Sequence, residues 1–278
     1  MEWLTDYKIP VGRTAKSVVD WLTENFAWAF DGLAAIIQAM IDAFMFALKF
    51  PPPLIMVVIF AAIAYALRRS IAVAILTALG FLFILNQGYW NPTMETLTLV
   101  LSSCILCMGL GVPIGIVAAH HPRFYAVLRP ILDLMQTLPT FVYLIPAIVF
   151  FGIGMVPGLL ATAIFVLPAP IRLTHLGISS TPLHLIEAGE AFGASSRQLL
   201  WKIELPYAMP QILAGLTQTI MLSLSMVVIA ALVGADGLGV PVVRALNSVN
   251  TALGFEAGLV IVVVAIVLDR IFRPGKEN

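Results

Sequence analysis

Long apolar runs separated by short polar breaks occupy most of this chain. They lie at roughly 54–67, 70–87, 97–119, 131–151, 157–174, 209–233 and 256–271, seven expected membrane spans in all. An upright span needs about 20 residues, so several of these runs predict short or tilted helices joined by tight turns. Pro51-Pro52-Pro53 stops any helix ahead of the first run. Upstream the pattern changes. Asp20, Glu24, Asp31, Gln38, Asp42 and Lys49 recur at separations of four or seven, and Phe26, Phe30, Leu33, Ile37, Ile41, Phe44 and Leu48 fill the opposite stripe. That periodicity predicts an amphipathic helix lying in the membrane interface. A tilted first span packed in a bundle is the other reading its apolar content allows.

Composition moves the chain firmly into lipid. Hydrophobic residues make up 60% and charged residues 11%, where soluble domains average about 45–50% and 25%. Mean hydropathy is +1.00. A length of 278 residues suits one polytopic all-α domain and leaves no room for a separate soluble enzyme. Formal net charge is zero, which points to neither nucleic acid nor a polybasic tether, while the hydropathy makes membrane lipid the expected surroundings. Cys104 and Cys107 share one apolar run without His or acidic neighbours, so they are expected to be packing residues rather than a redox or metal pair. The opening Met1-Glu2-Trp3 has neither a basic nor an apolar leader region, and no cleavable signal is expected.

Charge placement sets an expected orientation. With the polar loop at 175–208 in the cytoplasm, ten basic residues fall inside: Arg68, Arg69, Arg123, Arg129, Arg172, Arg197, Lys202, Arg270, Arg273 and Lys276. Five fall outside, namely Lys8, Arg13, Lys16, Lys49 and Arg244. The amino terminus is then expected outside and the carboxyl terminus in the cytoplasm.

That polar loop carries the most specific pattern in the chain. It reads Glu187-Ala188-Gly189, then Gly193, then after nine residues Ile203-Glu204-Leu205-Pro206. Thr181-Pro182 predicts a helix start, with a hydroxyl cap followed by proline at the first helical position. Gly193 predicts its stop, and Ser195 with Gln198 forms a capping-box pattern opening a second helix that ends ahead of Pro206. A helix–glycine–helix elbow in water, between two apolar rods, is a shape that seats in a groove on a partner. Glu187 and Glu190 have two possible counterparts, basic residues of that partner or Arg197 of the second helix.

The spacing EAG-x3-G-x9-I-x-L-P resembles the motif by which permeases of the binding-protein-dependent transport family, the membrane subunits of ABC importers, engage their ATPase. The family's usual form begins EAA; Gly189 is a small-for-small departure. The resemblance covers roughly residues 94–272. Gln136-Thr137-Leu138-Pro139-Thr140-Phe141-Val142-Tyr143-Leu144-Ile145-Pro146, Phe151-Gly152-Ile153-Gly154 and Gly234-Ala235-Asp236-Gly237-Leu238-Gly239 look like the glycine betaine, proline betaine and choline branch. This likeness implies a type I importer permease fold in a bacterial cytoplasmic (inner) membrane, with Glu187, Ala188, Gly189, Gly193, Ile203, Leu205 and Pro206 as the ATPase-coupling loop. It also implies a second permease copy, two ATP-binding subunits and an extracytoplasmic substrate-binding protein. Residues 94–272 then form the core, 51–93 supply two extra membrane helices, 1–50 the amino-terminal segment and 273–278 a cytoplasmic tail.

No G-x4-G-K-[ST] phosphate loop occurs, so no cofactor is expected in this chain, and ATP with magnesium falls to the partner ATPase. No nucleophile elbow or zinc-peptidase motif occurs either, and a non-enzymatic transport subunit is expected. His120 and His121 precede Pro122 and are expected in a solvated loop. For the solute path, Gln136, Thr137, Pro139, Thr140, Phe141 and Tyr143 gather around a proline break, and the aromatic faces suit a quaternary ammonium. Packing against neighbouring helices is the competing role for each. Asp133 is expected to pair with Arg129, with a gate charge as the other role. Two other functions fit less of the sequence: a permease of the same family for an amino acid or sulfonate, and an ion-coupled secondary transporter. The scarcity of charge deep in the spans argues against ion coupling.

Overall fold

A computed structural model describes residues 10–272, and the regular structure in it is helical. The expected tail, Lys8, Arg273 and Lys276 lie outside the described residues. Helix α1 (Val11–Lys49) is continuous except for a kink at Phe26, where φ −121° and ψ 17° leave the helical range. Its second half lies along the bundle: Phe30 stacks on Phe150 at 4.4 Å, and Ile37 and Ile41 pack with Val156 and Leu159. Length and apolarity suffice for α1 to cross a membrane.

Helices α2 (Pro53–Arg68) and α3 (Ile71–Asn86) form a hairpin of 16 residues each, with Phe60 stacked on Phe81. Both are shorter than a full span. Then come α4 (Trp90–His120), α5 (Pro122–Thr137), α6 (Thr140–Phe151), α7 (Met155–Val166) and α8 (Pro168–Ser179). After the elbow, α11 (Leu205–Ala231), α12 (Gly239–Ser248) and α13 (Thr251–Phe272) complete the chain. Five of the helical stretches described are long and apolar enough to cross a membrane, or six if the bent α5–α6 pair counts as one.

The centre of the bundle is α4 against α8 and α11. A Cβ on Gly111 would come within 2.8 Å of Pro170 Cγ, and one on Gly115 within 2.6 Å of Thr174 Cβ, so this glycine pair lets α4 and α8 touch backbone to side chain. On its other side α4 meets α11 through a hydrogen bond between Ser103 and Ser223 at 2.9 Å. The Leu238 amide donates to Thr96 Oγ1 at 2.8 Å, fixing the turn after α11 to the start of α4.

The 131–151 run is not the single span its hydropathy predicts. It breaks at Leu138-Pro139, and α5 and α6 meet at 95°. Proline pushes the preceding Leu138 into extended backbone, ψ 135°, and leaves the Met135 carbonyl without its helical donor. The Tyr143 hydroxyl takes over, donating to Met135 O at 2.7 Å and Leu134 O at 3.2 Å. Asp133 accepts from Arg172 at 2.6 Å, not from Arg129, because the bend carries α5 against α8.

Candidate functional site

Helix α9 (Leu183–Ala191) forms the first arm of the elbow. Its start differs from expectation. Pro182 is the cap residue, while the Thr181 hydroxyl is buried without a partner and caps nothing. Extended backbone at Pro182, ψ 132°, turns Thr181 inward.

The stop falls where the glycine predicts it. Gly193 has φ +78°, a left-handed value that costs a residue without Cβ little. Its amide donates to Glu190 O at 2.8 Å and the Ala194 amide to Gly189 O at 3.0 Å. This paired closure satisfies two end carbonyls. Ser195 and Gln198 complete the expected capping box: the Ser195 amide donates to Gln198 Oε1 at 2.8 Å, and the Gln198 amide to Ser195 Oγ at 3.4 Å.

The second arm does not end ahead of Pro206. α10 (Ser196–Leu199) passes through a wide turn at Leu200–Glu204 straight into α11, giving one 36-residue rod from Ser196 to Ala231. The Leu205 amide reaches back five residues to Leu200 O, and this widening makes room for a ring that would crowd a regular turn. Pro206 lies just past that wide turn, and the rod continues through it along α11.

The two arms lock through the motif's third position. A Cβ on Gly189 would stand 2.5 Å from Leu199 Cδ2 and 2.7 Å from Ile203 Cδ1. Gly189 and Ile203 therefore hold the elbow shut, and Leu205 packs at its base with Ile178, Ala208 and Ile212. Glu187 and Ala188 face outward with Leu183 and Phe192, the last 93% exposed. Neither Glu187 nor Glu190 is ion-paired with Arg197 among the described residues. An exposed apolar rim beside free carboxylates is a surface built to be covered.

Of the expected path residues, Phe141, Pro139 and Thr137 are exposed, while Gln136 and Thr140 are half-buried. Tyr143 stands apart from them, buried with Leu144, Ala161 and Val233 and committed to backbone carbonyls.

One feature of the elbow escapes sequence reasoning. Glu204 is 8% exposed, and its Oε2 lies 2.9 Å from Nε2 of His120. His120 is thus the last residue of α4 and a hydrogen-bond partner of Glu204, not part of a solvated loop. The available signal was a charged residue amid Leu200, Trp201, Ile203 and Leu205.

An exposed, interlocked elbow thus joins two long apolar rods. The chain belongs to the family described as binding-protein-dependent transport system inner membrane component, whose model matches residues 111–273. It is 49% identical over 269 residues to the glycine betaine transport system permease protein OpuAB of Bacillus subtilis, covering 97% of this chain and 95% of that one. Against the glycine betaine/proline betaine permease ProW of Escherichia coli it is 42% identical, covering 97% and 76%. In fold the chain is also similar to a chain of the inward-facing MetNI methionine ABC transporter, with TM-score 0.59 at 23% identity over 69% of this chain and 96% of that one.

Proposed function

We propose that this subunit imports glycine betaine, with proline betaine and choline as related cargo, driven by separate ATP-binding subunits. The near end-to-end match at 49% identity to a glycine betaine permease carries the cargo reading. The rim of Leu183 and Phe192, exposed among the described residues, supports the elbow as the seat of the ATPase. Two copies of this chain enclose the path, ATP and magnesium bind to the partner ATPase, and a binding protein delivers solute from outside. The elbow lies in the cytoplasm, with the amino terminus outside and the carboxyl terminus inside. Residues 94–272 act as the core, and α2 and α3 are two added membrane helices. Phe141, exposed at the α5–α6 bend, offers a ring face to a quaternary ammonium, an attraction of about 0.5–2 kcal/mol.

The test is reconstitution of permease, ATPase and binding protein in proteoliposomes. Labelled glycine betaine accumulates only with ATP on the ATPase side, and an ion-gradient uncoupler leaves the rate unchanged. Accumulation of an amino acid or sulfonate with no betaine uptake overturns the cargo; uptake driven by an ion gradient without ATP overturns the engine.

A further inference from the structure

We infer that the Glu204–His120 pair is a strut carrying the elbow's motion into α4, a role that rests on the coupling reading above. The elbow is joined by the chain only to α8 and α11. Helix α4, at the heart of the bundle, is 84 residues away in sequence at this contact. The Glu204–His120 contact is a direct side-chain link to it from the elbow's second arm. Gly115 on Thr174 and the Ser103–Ser223 hydrogen bond join α4 to α8 and α11, but neither involves a residue of the elbow. A short hydrogen bond to a fixed ring bears tension as well as compression.

The pair is built for that task. Glu204 is the one charged side chain in the buried class among the described residues, a position that strongly disfavours a carboxylate unless it is paired. The wide turn at Leu200–Glu204 places it against α4. On the other side, His120 Nδ1 lies 2.9 Å from the Ile116 carbonyl, which fixes the ring on its own helix. Nδ1 donates to that carbonyl, which leaves Nε2 to share one proton with the Glu204 carboxyl group across the 2.9 Å contact. His120 and Glu204 are positioning residues: neither needs to touch solute or nucleotide.

The proteoliposome assay tests this through solute taken up per ATP hydrolysed, with co-purification of the ATPase measured on every variant. Glu204→Leu keeps the bulk and removes the carboxylate; it and His120→Ala each lower the ratio by about tenfold, and the double variant is no worse than either single. Glu204→Gln stays within about twofold, because its amide donates to Nε2 of a neutral ring. ATPase co-purification persists throughout. An unchanged ratio in Glu204→Leu, losses that multiply in the double variant, or loss of assembly shared by Glu204→Gln each overturn the strut. Gly193→Pro is run alongside. If it abolishes uptake while Glu204→Leu does not, the strut alone is wrong; if it leaves uptake intact, the coupling reading falls and the strut with it.

Discussion

The elbow at 192–195 and the bend at 138–139 both turn the chain from one helix into the next within a few residues, and they do so by opposite means. The elbow is closed by its own neighbours: a left-handed glycine, two backbone hydrogen bonds and a capping box, all within ten residues. It therefore holds its shape while leaving its outer rim exposed. The bend opens because Pro139 removes a hydrogen bond, and it is secured by Tyr143, whose ring is buried against Ala161 and Val233 of other elements. One break is a rigid lever facing outward. The other is a joint fastened to the bundle interior.

Changes at these two sites should separate those roles. Gly193→Pro has the largest expected effect, since a proline ring fixes φ near −65° where the chain needs +78°. Solute uptake and solute-stimulated ATP hydrolysis fall to the level of empty vesicles, while membrane insertion, followed by fractionation, persists. Gly189 comes next. Gly189→Ile wedges the arms apart and lowers uptake about tenfold, whereas Gly189→Ala stays within about twofold because only the flexible ends of Leu199 and Ile203 must move. Equal rates for the two variants would show that the interlock does not matter.

At the bend the effect is smaller and of another kind. Tyr143→Phe strands the Met135 carbonyl and lowers stability by about 1–3 kcal/mol, read as earlier thermal unfolding in detergent, with KM for solute unchanged. A raised KM with unaltered unfolding would instead put Tyr143 in the solute path.

The contrast explains what could be read in advance. Gly193 and the Ser195–Gln198 box were legible because each acts over three or four residues, within reach of spacing rules. The start at Thr181 and the end before Pro206 were not legible, since burial of the hydroxyl and a widened turn depend on what α8 and α11 pack against. The same holds for Asp133: Arg129 is near in sequence, but the bend brings Arg172 to it.

Apolar run lengths, the elbow and the lack of a phosphate loop follow from residue order alone, because hydropathy and capping are local properties of a chain in lipid or water. Packing decided the rest. It set the burial of Tyr143, the interlock at Gly189 and the meeting of Glu204 with His120. Each joins groups whose approach is fixed by helices crossing in three dimensions, and no spacing along the chain encodes that crossing.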